Sequence, residues 1–179
     1  MGRKVKFGIV GTGAIAKMHA EALKGMSNAV LVAVYDKVEE RAQSFAASYG
    51  VRALSSFDDF LNDPDIEAVT IATPTGIHAE VAIPVAQAGK HILCEKPLDV
   101  TLEKADSIIH ACSQNKVFLA SVFQSRFARS VQAIKNAYDA GRFGKIVLAS
   151  TQVKWYRSQE YYDSAGWRGT WALDRGGAL

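Results

Sequence analysis

The sequence predicts an α/β fold: a doubly wound parallel sheet, followed by the incomplete start of an α+β domain. Three observations predict it. Short, uniformly apolar runs at 31–35, 68–72 and 91–94 alternate with helical stretches. Strands apolar on both faces are buried on both faces, which calls for a parallel sheet covered by helices. A glycine-rich stretch, "GIVGTGAIA", joins the first strand to the first helix. Of the 179 residues, 49% are apolar and 22% charged, which excludes a disordered chain.

The elements follow in order. A strand is expected over 4–10, a tight loop over 11–13 and a helix over 14–23, whose Ile15, Met18, Ala22 and Leu23 recur at helical spacing. The strand over 31–35 ends at Asp36, and the helix over 39–49 stops at Gly50. Ser56, with Asp59 three residues on, caps a short helix that Asp63-Pro64 ends. The strand over 68–72 closes at Thr73-Pro74, and a helix over 79–88 ends at Gly89. Then come a strand over 91–94, a helix over 102–115 and a strand over 118–122. A helix over 131–140 and a longer, partly alternating strand over 146–155 complete the pattern.

Charge divides the chain. Residues 1–125 carry 12 Lys/Arg against 14 Asp/Glu, whereas 126–179 carry 9 against 4 and all three tryptophans. The expected division is therefore a dinucleotide-binding domain over 1–125 and the start of a substrate domain over 126–179. A formal charge of +3 is too small to argue for nucleic acid, and no stretch reaches the length of a membrane span. Cys94 and Cys112 have no metal-ligand spacing and sit among apolar residues, so reduced thiols in a cytoplasmic protein, with no metal, are expected.

Gly11, Thr12, Gly13, Ala14, Ile15 and Ala16 fit G-x-G-x-x-[GA] between a strand and a helix, and an acid ends the next strand. Gly11 permits the turn, Gly13 lets a pyrophosphate approach the backbone, and Ala16 lets helix and strand pack closely. The amides at the helix start attract the phosphates. Asp36 can accept from both hydroxyls of the adenosine ribose and would repel a 2′-phosphate, so NAD is expected ahead of NADP. Lys37 beside it can soften that preference, and Arg41 either stacks on adenine or is a solvated helix residue. Ligands of such sheets lie beyond the carboxyl ends of the strands. Thr73, Pro74 and His78, and then Glu95 and Lys96, follow two of those ends; His78 either lines the groove or sits on the surface at a helix start. His19, His91 and His110 receive no role.

"GIVGTGAIA", the "YD" that ends the second strand and "ATPTGIHAEVAIPVAQAGKHILCEKPL" resemble the Gfo/Idh/MocA family of NAD(P)-dependent oxidoreductases. The resemblance implies a Rossmann domain and a substrate among sugars, inositols or nucleotide-linked sugars. It further implies that Lys96 points into the active site, contacts the substrate hydroxyl and helps orient or relay its proton, often after a cis Lys–Pro bond. In the family a glycine-rich segment leads into a helix bearing an Asp or Asn and a catalytic histidine. This chain reads "DRGGAL" to Leu179, with Arg175 where a glycine is expected. The expectation is a truncated chain, inactive alone and prone to associate as a homo-oligomer.

The tail "KWYRSQEYYDSAGWRGTW" places Arg157, Tyr161, Tyr162, Trp167 and Arg168 together in sequence. Aromatic faces stack on sugars and guanidinium forks bind carboxylates or phosphates, so these are candidate contacts to an anionic sugar-type substrate. A packed domain interface is the alternative. Two functions remain: a dehydrogenase, or a dinucleotide-binding module without turnover.

Overall fold

The structure, a computed structural model, describes residues 2–174. Residue Arg175 and the glycines after it lie outside the described residues. Six parallel strands form one sheet: β1 (Val5–Val10), β2 (Ala29–Tyr35), β3 (Arg52–Ala53), β4 (Ala68–Ile71), β5 (His91–Cys94) and β6 (Leu119–Ser121). Their order is β3-β2-β1-β4-β5-β6. It is that of a dinucleotide-binding Rossmann sheet, with the direction of winding reversing between β1 and β4.

Two cores follow from this winding. On one face Ile9, Val34 and Ala72 of the sheet meet Ala16 and Ala20 of α1 (Ala14–Lys24) and Phe45 and Ala46 of α2 (Glu39–Tyr49). On the other, Val10, Val69, Ile71 and Ile92 meet Phe60 of α3 (Phe57–Asn62), Ala82 and Val85 of α4 (His78–Gln87), and Ile108 of α5 (Leu102–Gln114). Phe60 is fully buried, and a Cβ on Gly8 would lie 2.5 Å from its ring. Burying such a side chain is worth about 1.5–3 kcal/mol. Gly50 stops α2 in the left-handed conformation with φ 66°. Ser56 and Thr101 cap α3 and α5 by accepting from the Asp59 and Lys104 amides, worth about 1 kcal/mol each. The loop entering β4 is braced by buried Lys90, whose Nζ donates to the Asp63 and Ile66 carbonyls at 2.7 and 2.9 Å.

The residues up to Val122 and those from Trp167 on form one compact unit. The return of the chain at Trp167 has no sign in the composition. It rests on Gly76, whose amide donates to the Leu173 carbonyl at 3.0 Å, and where an added Cβ would lie 2.2 Å from the Ala172 carbonyl oxygen.

The second unit is Phe123–Gly166, with α6 (Arg129–Asp139) and α7 (Gln159–Asp163). The expected strand over 146–155 does not form: these residues have no regular structure, and Val147 and Leu148 are exposed. A strand exists only as part of a ladder, and this segment has no partner strand among the described residues.

Candidate functional site

Register fixes the site. Tyr35, Val10, Ile71, Cys94 and Ser121 form one row across β2, β1, β4, β5 and β6. The residues that follow them, Asp36, Gly11, Ala72-Thr73 and Glu95-Lys96, therefore emerge along one rim at the carboxyl ends of the strands. Three strand spacings, roughly 14 Å, separate the β2 end from the β5 end. The crevice where the winding reverses opens in the middle of this rim.

At the centre, Gly11 has φ +87°, and its added Cβ would lie 2.9 Å from the Ala72 carbonyl oxygen. Only glycine combines that conformation with that approach. The Gly11 amide donates to the Tyr35 carbonyl at 2.9 Å, tying the turn to β2. Gly13 is the N-cap of α1; no side chain caps that end and no acid lies in its first turn. A Cβ on Gly13 would meet nothing within 4 Å. The exposed helix start thus presents amides and the positive end of the helix dipole, which suit a phosphate. Ala14 and Ile15 are exposed there, while Ala16 is 0% exposed against the sheet.

On the β2 side Asp36 accepts from the Thr12 amide and hydroxyl, both at 2.8 Å, and from the Val38 amide at 2.9 Å. A carboxylate offers about four lone-pair sites, so a ligand hydroxyl still finds an acceptor. The carboxylate also staples the glycine turn to the end of β2, which the pattern alone does not reveal. Lys37 and Arg41 are exposed beside it.

On the β5 side the Lys96–Pro97 peptide bond is cis. Glu95 is 8% exposed and Lys96 is exposed. Glu95 Oε1 lies 2.7 Å from His19 Nε2 of α1, and Oε2 accepts from the Lys96 amide at 3.1 Å. Burial pushes the Glu95 carboxyl up, but the His19 hydrogen bond, the Lys96 amide and the Lys96 charge outweigh it. The carboxyl ends below its ordinary value. Thr73 Oγ1 is buried without a hydrogen-bond partner among the described residues. An orphaned hydroxyl at the rim, an uncapped helix start and the open space over Gly13 all fit a nicotinamide dinucleotide.

His78 does not line the groove, nor does it sit on the surface. It is 1% exposed, with Nε2 3.0 Å from the Thr73 carbonyl and Nδ1 3.0 Å from the Pro97 carbonyl. It joins the turn after β4 to the loop after β5, and the buried side of α4 leaves it no surface for a ligand. His19, which the sequence leaves without a role, meets the carboxylate of the lysine motif from α1. Its signal was weak: three residues beyond Ala16 and one before Ala20, it borders the buried stripe of α1.

The candidate substrate residues fall in two groups. In the second unit Arg157 lies over the rings of Trp155 and Tyr161 at 4.4 and 4.7 Å, and Tyr162 meets Tyr161 edge-on at 5.3 Å. Trp167 and Arg168 belong to the first unit, with the Arg168 guanidinium 5.5 Å from the Trp167 ring. Among the described residues no group of three His, Cys, Asp or Glu side chains is placed to hold a metal, and no helix is long and apolar enough to cross a membrane.

Comparison with known proteins gives consistent relatives. Residues 5–123 match the profile of an oxidoreductase family with an NAD-binding Rossmann fold. Inositol 2-dehydrogenase of Rhizobium meliloti (strain 1021) is 38% identical over 146 residues, 82% of this chain and 44% of that protein. The crystal structure of the WlbA dehydrogenase from Bordetella pertussis, in complex with NADH and UDP-GlcNAcA, superposes with a TM-score of 0.92 at 40% identity. It covers 97% of this chain and 52% of that one. A levoglucosan dehydrogenase in complex with NADH and levoglucosan superposes at 0.74, with 32% identity over 80% of this chain and 41% of that one. The chain thus spans about half the length of the relatives it matches. With the fingerprint, the sheet order and the rim agreeing with that profile over most of the chain, it belongs to the Gfo/Idh/MocA oxidoreductase family.

Proposed function

We propose that the protein is an NAD-dependent dehydrogenase acting on a secondary alcohol of a sugar-type substrate, anionic and nucleotide-linked. The observation that carries this reading is the exposed Lys96 at the β5 end, on the same rim as the glycine turn and Asp36. The amides at the start of α1 bind the pyrophosphate, and Asp36 holds the adenosine ribose. When bound, NAD supplies the acceptor for the hydride leaving the carbinol carbon. Lys96 holds the substrate hydroxyl and steadies the negative charge that grows on its oxygen, and the hydroxyl proton passes to solvent as the hydride leaves. The similarity to a dehydrogenase crystallised with NADH and UDP-GlcNAcA supports an acidic nucleotide sugar, and Arg168, in the same unit as Lys96, is a cation suited to bind it.

A second reading, dinucleotide binding without turnover, is favoured by a different observation: His19 and the buried His78 are both engaged, one by Glu95 and one by backbone carbonyls. The exposed Val147, Leu148, Trp155 and Tyr156 support association of the protein with itself. The unpaired Cys94 and Cys112 support a reducing, cytoplasmic setting.

Titration with NADH and NADPH tests the cofactor, and NADH formation from NAD with UDP-GlcNAcA or myo-inositol tests the substrate. Tighter NADPH binding would overturn the assignment of Asp36. Lys96→Ala in a full-length version is expected to leave NADH affinity within about threefold while cutting turnover by roughly 10²-fold or more. Turnover near wild type would remove Lys96 from the chemistry. NADH binding with no turnover on any sugar would favour the second reading.

A further inference from the structure

We propose that His19 is a positioning residue for the nicotinamide end of the site, acting through Glu95 on Lys96. The inference rests on the NAD-binding reading and names a residue that neither the glycine fingerprint nor the lysine motif contains. His19 and Glu95 are 76 residues apart in sequence, and their side chains are 13% and 10% exposed. Glu95 is held below its ordinary carboxyl value, so it is an acceptor only, and the 2.7 Å contact requires the proton to sit on His19 Nε2. The other oxygen of the same carboxylate accepts from the Lys96 amide. One carboxylate is thereby anchored to α1 on one side and to the backbone of the exposed lysine on the other.

The layout says which half of the ligand this anchor serves. Asp36 ends β2, on one side of β1, and marks the adenosine side. Glu95 and Lys96 end β5, on the opposite side of β1 beyond β4. The pyrophosphate turn lies between them at the start of α1. His19 stands five residues past Ala14, about 7.5 Å farther along the helix axis. The helix that receives the phosphates with its first turn thus also grips the lysine loop with its second. Losing the His19 donor leaves a buried carboxylate oxygen without a partner and frees the loop to turn away from the crevice.

ADP-ribose, which has the adenosine and both phosphates but no nicotinamide, separates this role from simple support of α1. Calorimetric titration of the 179-residue chain with NADH and with ADP-ribose is expected to show His19→Ala weakening NADH about tenfold and ADP-ribose less than twofold. His19→Gln, which keeps a donor, should restore NADH to within about threefold. The double variant His19→Ala with Glu95→Gln should be no weaker than Glu95→Gln alone. Should His19→Ala fail to fold by its circular dichroism melt, Glu95→Gln carries the same selective loss of NADH. Equal losses for both ligands, or additive losses in the double variant, would overturn the role of His19 while leaving NAD binding intact. A wild-type chain that binds neither ligand would overturn both.

Discussion

Gly11 and Gly13 sit two residues apart in one turn, yet alanine at each should fail in a different way. At Gly11 the backbone has φ +87°, and a Cβ would lie 2.9 Å from the Ala72 carbonyl oxygen and 3.0 Å from the Thr73 methyl. Holding alanine in that conformation costs about 1–3 kcal/mol. Moving a strand-end carbonyl that is already part of the sheet rim costs about 1–3 more. Gly11→Ala should therefore lose about 2–6 kcal/mol, a large share of a stability of about 5–15 kcal/mol. At a urea slope of about 1–3 kcal/mol/M, the unfolding midpoint falls by about 1 M or more. At Gly13 φ is −71° and a Cβ meets nothing within 4 Å. Gly13→Ala should leave the free protein as stable as before, or up to about 1 kcal/mol more stable through its stiffer unfolded chain. Its methyl would nonetheless stand where a phosphate must approach. Losing charge-assisted bonds worth about 1.5–3 kcal/mol weakens NADH by about 10- to 100-fold. Urea unfolding without ligand and NADH fluorescence titration read the two effects separately. A Gly13→Ala chain that binds NADH within twofold of wild type would refute the phosphate assignment. An unchanged midpoint in Gly11→Ala would refute the reading of the turn.

Three further outcomes are expected. Asp36→Ala removes the acceptor for the Thr12 amide and hydroxyl and the Val38 amide. It should narrow the gap between NADH and NADPH in paired titrations, and an unchanged ratio would count against a ribose contact. Glu95 titrates below the ordinary glutamate value in the folded state, so its stabilising contribution is complete above that ordinary value and is lost as pH falls through the lower folded one. The stability difference between wild type and Glu95→Gln, from urea curves at a series of pH values, should shrink on acidification; a constant difference would show that the carboxylate contributes nothing. Burial, with the Glu95 and Asp99 charges, pushes the Cys94 thiol up to about 12, and burial also raises Cys112. A thiol reagent at pH 8 should label both only after denaturation, and fast labelling of the native chain would contradict the packing beneath β5.

Wherever an element is bounded by local chemistry, it was legible in the sequence. The helix between Glu39 and Tyr49 and the strand between His91 and Cys94 stand where the apolar runs and Gly50 place them. The short helix after Ser56 begins with the cap its spacing implies. What escaped depends on residues distant along the chain. The two-residue β3 is too short to show a pattern and exists only through β2. The apolar stretch over 146–155 has strand composition but no ladder. Within the site the glycine turn, Asp36 and Lys96 carry recognisable spacing, whereas the burial of His78 and the partner of His19 depend on how α4 and α1 face the loop after β5.

The seating of residues 167–174 on Gly76 bears on how the protein is made. The first unit is assembled from two stretches of chain separated by the 44 residues of Phe123–Gly166. At about 5–20 residues per second, a ribosome takes roughly 2–9 s to cross that gap. Through this interval all six strands of the sheet have been synthesised, but the Gly76 amide awaits its acceptor. The last contact of the first unit thus forms only after the second unit has been synthesised, and a nascent chain halted at residue 125 presents that seat to whatever chaperone or neighbour is near.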